Sequence, residues 1–544
     1  MSAVPSQTGQ PAEPGEAHRA PPAAASSPAA ASPPAAASPP AAASPVAATT
    51  PPPTSVLTRE IIAPAVVVVL GAIMTILDAT VVNVALPTLG QDLHASITVI
   101  QWVPTVYLLA FASVIPLSGW AAGRFGTKTV WLASLGTFLA GSILAGLSPS
   151  IGALIAFRVV QGLGGGMIMP LGQAMLAQVA GPNRMGRVMS IIGVPMLLAP
   201  VFGPLIGGAL IAVASWRWIF FINLPVGLLA IVLAVRLLPA TARRPGQHLD
   251  VAGAVLLPGG LALFLYGLAQ TSQHAQLTAP GALGPMIAGA VLMAWFVRHA
   301  LRVAHPLIDV RLLRQRGFTA GSAVNFVLGT ALFGVALLLP LYFEILRGRT
   351  PLQTGLLLAP QGLGAAVVIS LAGYLTDRAG ARRVVPVGVL LALAGTGWFT
   401  QIGAHTPYWE LMTALFLVGA GLGATITPAM AAAFQGLPPA ALGQATSAIN
   451  VVQRVAGALG SATLAIVLQQ AITARLPGWH GQIGQAAAIA AASPHASAAL
   501  AEAFGASFAV AFGISAIALI PAILLPGRPS LPGPTESPAH GGAT

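Results

Sequence analysis

The stretch IIAPAVVVVLGAIMTILDATVVNVALPTL, from Ile61 to Leu89, is apolar almost throughout and carries one ionisable side chain, Asp78. A helix needs about 20 apolar residues to cross the hydrocarbon core of a bilayer, and a charge inside that core costs roughly 2.5–3.5 kcal/mol. The stretch therefore predicts a membrane-spanning helix. Its carboxylate indicates a functional group, with a structural ion pair as the alternative interpretation.

Composition extends this prediction to the whole chain. Of 544 residues, 56% are hydrophobic and 7% are charged, whereas a soluble domain carries about 25% charged residues. Apolar runs between polar breaks predict about fourteen spans, and hence an all-α polytopic membrane protein. The spans are expected to begin near Ile61, Ile97, Val130, Ile151, Val188, Arg217, Val251, Ala282, Thr319, Thr354, Val384, Trp409, Gln444 and Ser507.

The basic residues indicate an orientation. If the N-terminus is inside, most of the 24 Lys and Arg residues fall in inside loops, whereas Arg217, Arg347, Arg349 and Arg475 fall outside. An excess of Lys and Arg in cytoplasmic loops is the usual membrane-protein pattern. We therefore expect a multi-pass protein of the cell (inner) membrane with both termini cytoplasmic. The net charge of +12 is interpreted as loop charge, and no nucleic-acid partner is expected.

The chain divides by composition into five segments. Residues 1–56 are rich in Ala, Pro and Ser, a composition typical of a disordered tail, and residues 528–544 are expected to form a second tail. Between them we expect an N-terminal six-helix bundle (57–238), an inserted transmembrane helix pair (239–305) and a C-terminal six-helix bundle (306–527). The Ala-rich segment 471–505 is expected outside the membrane.

Two loops repeat. GWAAGRFGTK, from Gly119 to Lys128, follows the second span, and GYLTDRAGARR, from Gly373 to Arg383, follows the tenth. Two six-helix halves with two helices inserted between them place these loops equivalently. Parallel repeats of this kind are typical of transporters.

Four charges fall within the predicted spans: Asp78, Arg158, Glu344 and Arg454. A carboxylate suits proton coupling because burial and a nearby cation shift its affinity for a proton in opposite directions. Asp78 and Arg158 are the natural candidates for such a pair, with structural pairing as the alternative. A sodium site would need several convergent oxygens, and none can be assembled from the sequence.

Other features of the spans allow two interpretations. Their amides either line a substrate path together with Arg454 or hold helices together. The fifth span, GVPMLLAPVFGPLIGG, either bends for alternating access or packs tightly. Aromatic residues near span ends are expected as interfacial anchors. The residues concerned are Asn83, Gln161, Asn325, Gln361, Asn450 and Gln453 for the amides, Gly203, Pro204, Gly207 and Gly208 for the fifth span, and Trp102, Tyr107, Trp216, Trp218 and Phe221 for the anchors.

Enzyme motifs are missing from the sequence. It contains no GxSxG, HExxH or P-loop pattern, and with no cysteine it cannot form thiolate metal sites. We therefore expect neither catalysis nor a metal nor a cofactor. An intramembrane protease is the one enzymatic alternative.

Four segments together resemble the major facilitator superfamily, and more closely its fourteen-helix drug:proton antiporter family of EmrB/QacA-like multidrug efflux permeases. They are LDATVVNVALPTL (Leu77–Leu89), RVVQGLGGG (Arg158–Gly166), APVFGPLIGG (Ala199–Gly208) and WRWIFFINLPVG (Trp216–Gly227). The resemblance covers about residues 61–525. It implies the major facilitator fold, with two six-helix bundles plus two inserted helices.

The resemblance also implies roles for particular residues. Arg158 corresponds to an arginine implicated in proton transfer, and the segment Ala199–Gly208 to a motif of antiporters. The family's loop motif has an aspartate where this chain has Gly123, although Arg124 and Lys128 remain. The second copy keeps the aspartate, so the gating lock is expected to rest there. The residues of that copy are Asp377, Arg378 and Arg382.

These observations favour a proton-coupled antiporter that exports amphipathic drugs or toxic small molecules from the cytoplasm by alternating access. By family analogy, the substrate binds near the bilayer midplane and protons enter as it leaves. Some relatives work with a periplasmic adaptor and an outer-membrane channel, which are candidate partners here. The alternatives are a dedicated exporter of one metabolite, siderophore or lipid, and a non-transporting receptor or scaffold.

Overall fold

The computed structural model describes residues 59–180, 184–239, 243, 246–274, 280–476 and 494–527. This part of the chain is built from helices and contains no strand. The predicted tails, 1–56 and 528–544, lie outside the described residues, as do residues 477–493 of the Ala-rich segment.

The long helices confirm the expected all-α architecture. Among the residues that the structure describes, twelve helices are long and apolar enough to cross a membrane, and α5 and α11 occupy the places of the fifth and eleventh predicted spans. In chain order the helices are α1 (Arg59–Asp92), α2 (Trp102–Phe125), α3 (Thr127–Gly146), α4 (Ile151–Ala180), α5 (Met185–Val213), α6 (Trp218–Leu237), α7 (Val251–His274), α8 (Pro280–Ala300), α9 (Arg316–Leu346), α10 (Pro351–Ala379), α11 (Ala381–Phe399), α12 (Tyr408–Phe434), α13 (Leu442–Arg475) and α14 (Pro494–Ile517).

One predicted boundary is wrong. The last span was expected near Ser507, but α14 already begins at Pro494. Glu502 interrupts the apolar run in the sequence, yet its exposed carboxylate faces outward and lies 3.5 Å from the guanidinium of Arg475. An alanine-rich stretch favours helix, so a single outward acid does not end it.

The same helix pairings occur twice. In the first half of the chain α1 packs on α5, α2 on α4 and α3 on α4; in the second half α9 packs on α13, α10 on α12 and α11 on α12. The predicted loop repeat is confirmed in the backbone: Gly126 and Gly380 have φ of 88° and 84° at equivalent turns. Only glycine adopts such a conformation without strain.

Close contacts between glycines help to join these two sets of helices. A side chain on Gly119 of α2 would meet the backbone of Gly443 of α13 at 2.9 Å. At the equivalent place, a side chain on Gly373 of α10 would meet the carbonyl oxygen of Gly186 of α5 at 2.8 Å. Both pairs lie next to the repeated loops. Small residues allow helices this close in membranes, so the structure is closed at the end that carries these loops.

The helix pair α7–α8 lies against α2 and α13. Its two helices pack on each other, and α7 also packs on both α2 and α13. The rings of Trp102 and Tyr266 stack with centroids 5.6 Å apart, and the amide of Gln444 donates to the carbonyl of Pro306 at 3.4 Å. The pair therefore bridges the seam between α2 and α13.

Burial separates central helices from peripheral ones. In α12, 83% of the most apolar stretch is buried, compared with 17% in α8. The exposed face of α8 includes Ile287, Val291 and Trp295. Apolar exposure of this extent fits contact with lipid.

Candidate functional site

The carboxylate of Asp78 on α1 is the centre of a buried polar cluster. A guanidinium nitrogen of Arg158 donates to Oδ2 at 2.6 Å, while the side-chain amides of Gln161 and Asn223 donate to Oδ1 at 2.8 and 3.1 Å. All four side chains are buried. The structure thus brings together Asp78 and Arg158, the pair that the sequence singled out, and satisfies both carboxylate oxygens.

The local sequence of α4 explains this geometry. Arg158 and Gln161 are three residues apart, so both point to the same face of the helix. The glycines that follow lack the side chains that would hold neighbouring helices away: a Cβ on Gly162 would meet the Tyr107 carbonyl at 2.5 Å, and one on Gly164 would clash with Phe138. The motif RVVQGLGGG therefore supplies charge and close helix contact together.

Asn223 extends the cluster to α6. Its amide also donates to the hydroxyl of Ser142 at 3.0 Å, and that hydroxyl donates to the carbonyl of Phe220 at 2.8 Å. Sequence reasoning missed both Asn223 and Ser142 as site residues. Asn223 lies within the recognised segment WRWIFFINLPVG, which is the signal that could have found it.

An aromatic pair connects this cluster to α13. The guanidinium carbon of Arg158 lies 4.0 Å from the ring centroid of Tyr107. The rings of Tyr107 and Phe111 are 5.8 Å apart, and the guanidinium carbon of Arg454 lies 4.3 Å from the Phe111 centroid. Cation–π contacts of this kind are attractive, and more strongly so away from water.

The expectation of an interfacial Tyr107 is wrong. Its side chain is 1% exposed because the glycines of α4 bring α2 close, and Trp216 is equally buried, donating to Asp92 at 2.9 Å. By contrast, the expected anchors Trp102 and Trp218 are 38% and 52% exposed.

At the closed end, Asp377 of α10 binds the first turn of α5. Its Oδ1 accepts from the backbone N–H of Gly186 at 2.9 Å, and its Oδ2 accepts from the backbone N–H and the guanidinium of Arg187 at 3.3 and 3.0 Å. A helix N-terminus favours a carboxylate. We call these three residues the latch.

The family of this chain follows from comparison with known proteins. The model of the Major Facilitator Superfamily matches residues 68–461. The chain belongs to the major facilitator superfamily. It is therefore a membrane transporter rather than an enzyme, and the predicted resemblance is confirmed.

Relatives of this transporter have drug-resistance names. It is 42% identical over 405 residues to a multidrug resistance protein B homolog of Mycobacterium tuberculosis, covering 74% of this chain and 75% of that protein. It is 33% identical to the puromycin resistance protein pur8 of Streptomyces alboniger, covering 76% and 82%. A crystal structure of a double-tryptophan mutant of XylE superposes with a TM-score of 0.57 at 15% identity, covering 86% and 96%, which shows a shared fold.

In the first copy of the loop motif of this transporter, another residue fills the space that the aspartate side chain would occupy. The amide oxygen of Gln247, from the segment before α7, lies where a side chain at Gly123 would begin. Lys128 donates to the carbonyls of Val235 and Leu238 at 2.9 and 2.6 Å, at the end of α6. Arg124 is half-buried. The first copy thus ties α3 to α6 through Lys128, whereas Gln247 packs against α2 without a hydrogen bond from its amide oxygen to the described residues.

The other basic residues of the second copy lie beside the latch. The guanidinium of Arg378 stacks on Tyr374 at 4.4 Å. Arg382 and Arg383 are exposed and line a cavity of about 430 Å³ together with Ala379 and Gly527. The structure therefore separates Asp377, which joins two helices, from these surface cations.

Most predicted path amides make contacts between or within helices. Asn450 of α13 donates to Gln173 of α4 at 2.6 Å, and Gln453 donates to Asn325 of α9 at 3.4 Å. Asn83 is exposed and donates to a carbonyl of its own helix. Gln361 is half-buried and makes no hydrogen bond through its side chain to any residue the structure describes.

Glu344 stands apart from the other predicted coupling residues. It lies in a π-helical turn at the end of α9 and is half-buried. Its carboxylate forms no hydrogen bond or ion pair with the described part of the chain. The structure therefore does not bring Glu344 into the Asp78 cluster.

The glycines of α5 pack on α1. A side chain on Gly203 would clash with Thr80, and one on Gly207 would meet Val81 at 3.0 Å, whereas Gly208 has open space around it. The side chain of Pro204 lies outside the described part of the molecule. Tight packing of α5 on α1 therefore accounts for Gly203 and Gly207.

Proposed function

We propose that this transporter is a proton-coupled antiporter that exports amphipathic small molecules from the cytoplasm by alternating access. The observation that carries the proposal is the buried ion pair of Asp78 and Arg158, 2.6 Å apart. Support also comes from relatives named for resistance to several drugs, to puromycin and to methylenomycin.

Asp78 serves as the proton acceptor. Ionised, it is neutralised by Arg158 and stabilised by the amides of Gln161 and Asn223. A proton on Asp78 removes the attraction to Arg158 and leaves a cation without a counter-charge, which is costly in a buried site. Protonation and movement of Arg158 are therefore coupled, and such coupling is what a proton-driven cycle requires.

Alternating access requires the closed end to open. There the latch and the glycine contacts hold α5 against α10 and α2 against α13. The distribution of basic residues supports a cytoplasmic position for this end, and we place both termini on that side of the inner membrane. Opening separates residues 57–238 from 306–527, with 239–305 as an inserted pair.

We assign roles to the remaining predicted residues from their positions in the structure. Asp377 gates with Arg187, while Arg124, Lys128, Arg378 and Arg382 stabilise the loops beside it. Substrate passes between α4 and α13, where amides and one cation are gathered. The path residues are Asn83, Gln161, Asn325, Gln361, Asn450, Gln453 and Arg454. A periplasmic adaptor and an outer-membrane channel are proposed partners for the outer face.

Dye efflux from energised cells tests this function. Cells with the wild-type chain, Asp78→Asn or Asp92→Asn are loaded with ethidium, rhodamine 123 or fluorescein diacetate, and efflux is followed with and without a protonophore. Asp92 is a matched control because it lies on the same helix and, among the described residues, its carboxylate accepts a side-chain hydrogen bond from Trp216 alone. We expect protonophore-sensitive efflux from wild type and Asp92→Asn and none from Asp78→Asn. Proton-dependent efflux that survives in Asp78→Asn would exclude Asp78 as the coupling group.

A further inference from the structure

We propose that Arg454 binds an anionic group of the transported molecule, so that this transporter favours organic anions over lipophilic cations. The inference rests on the proposed export function and specifies its substrate class. No residue of the Asp78 cluster is needed to hold the anion.

Arg454 has an unusual environment for a cation within a span. Its guanidinium lies over the ring of Phe111, 4.3 Å from the centroid, and the residue is half-buried. It forms no hydrogen bond or ion pair with any of the described residues. An arginine carries five N–H donors in a planar fork that matches a carboxylate or sulfonate. The donors of Arg454 are therefore free to bind a ligand of that shape.

Other charges within the spans do not neutralise Arg454. Asp78 is bound to Arg158, and Asp377 is bound to Arg187 at the closed end. Glu344 lies in the π-helical turn at the C-terminal end of α9. Within the described chain, the region around Arg454 thus has an excess positive charge. A cation in a medium of low dielectric constant attracts anions strongly and repels cations.

Neighbouring side chains hold the guanidinium in place. The rings of Phe111 and, beyond it, Tyr107 are buried behind it, and Gln453 lies next to Arg454 in the chain with its amide turned to Asn325. The half-buried guanidinium can therefore meet a planar anionic group on the side that Phe111 does not cover. Arginine binds planar oxyanions better than lysine does.

The direction of transport agrees with this charge. Export of an anion carries negative charge out of the cell, as an inside-negative membrane potential favours. Entry of a proton is favoured by the same potential. Both movements of an anion:proton exchange are therefore driven in the same sense.

Binding of two related dyes tests the inference. Fluorescein and rhodamine 123 share a xanthene ring but carry opposite charges, and their fluorescence anisotropy is titrated with the purified full-length transporter. We expect wild type to bind fluorescein at least ten-fold more tightly. Arg454→Gln should lose at least ten-fold in affinity for fluorescein and none for rhodamine 123. Arg454→Lys should retain part of the preference.

Arg475→Gln is the matched control, because Arg475 lies on the same helix but pairs with Glu502 at its end. Equal binding of both dyes by wild type, binding of neither, or an unchanged preference in Arg454→Gln would overturn the inference. If Arg454→Gln does not fold, the preferences of wild type and Arg454→Lys decide. Protonophore-sensitive efflux of rhodamine 123 together with equal dye binding would refute anion selectivity and leave the export function standing.

Discussion

Asp377 and Arg187 form an ion pair, 3.0 Å long, between α10 and the first turn of α5, and the carboxylate is only 3% exposed. The same carboxylate accepts two backbone N–H groups of that turn. One buried side chain therefore holds two helices from opposite halves of the chain. It follows that this end cannot open until the aspartate releases its partners.

Asp377→Asn should make opening easier. Loss of the charge weakens hydrogen bonds that contribute about 1.5–3 kcal/mol when a charged group takes part. The chain has no cysteine, so a single Ser190→Cys, buried in the first part of α5, reports opening by its rate of maleimide labelling. We expect roughly ten-fold faster labelling, since 1.4 kcal/mol is a factor of ten. Asp309→Asn is the control, because Asp309 is an N-cap in the connection before α9. Equal labelling rates in the Ser190→Cys background, with Asp377→Asn added and with Asp309→Asn added would contradict the latch.

A disulfide between positions 118 and 447 should lock the same end. The hydroxyls of Ser118 on α2 and Ser447 on α13 lie 2.7 Å apart, which brings the two Cβ atoms near the spacing that a disulfide needs. In Ser118→Cys/Ser447→Cys, oxidation should abolish export and dithiothreitol should restore it. The two single variants should respond to neither reagent. Full export after complete cross-linking would show that α2 and α13 do not separate.

A double-mutant cycle should show that Asp78 and Arg158 depend on each other for stability. Removal of one partner from a buried ion pair costs about 3–5 kcal/mol, because the other charge stays buried and unpaired. Asp78→Asn and Arg158→Gln should therefore each lower the unfolding temperature in detergent substantially. The double variant should lose less than the sum of the two. Additive losses would contradict the pairing.

Gly126 and Gly380 should resist substitution equally. Their φ values of 88° and 84° lie in a region that costs other residues about 1–3 kcal/mol. Gly126→Ala and Gly380→Ala should each lower the free energy of unfolding by that amount. Gly136→Ala is the control, because Gly136 is helical with nothing within 4 Å of an added Cβ, and alanine favours helix by about 1 kcal/mol. A stabilising Gly126→Ala would refute the turn geometry.

Asp250 should give the α7–α8 junction a dependence on pH. Burial alone would raise its pKa, but hydrogen bonds from the backbone of Gly253, from His299 and from the backbone of Leu307 outweigh burial and lower the pKa below its usual value. The stabilisation is therefore complete above the ordinary carboxyl pKa of about 3.9 and is lost as pH falls through the lowered pKa. The difference in unfolding temperature between wild type and Asp250→Asn should shrink between pH 7 and pH 3. A constant difference would contradict this.

The number and type of helices follow from the sequence because a bilayer demands long apolar runs. Asp78 and Arg158 stand out for the same reason, since charges are rare there. The sequence does not show which face of each helix points into the bundle, because in a membrane the lipid-facing side is as apolar as the core. Apolar patterning therefore does not distinguish a buried Tyr107 from an interfacial anchor. Arg187 is also invisible as a latch residue, because by sequence it is one more basic residue of a loop.

The sequence does not predict contacts between distant segments, for another reason. Asn223 reaches Asp78 only when α6 packs beside α1, and its residue type fits equally well with simple helix association. The predicted start of α14 near Ser507 is too late because the sequence does not show that the side chain of Glu502 points away from the bundle. Local pattern identifies elements, and packing decides which polar groups meet.

Gln247 and Gly123 limit each other's size, although they belong to different segments of the chain. Because the amide of Gln247 occupies the space in front of Gly123, an aspartate at position 123 requires that amide to leave. Among homologues, the identities of these two positions should covary, with bulk at one and glycine at the other. A chimera that takes its α6–α7 linker from one relative must accordingly take the residue at position 123 from the same relative.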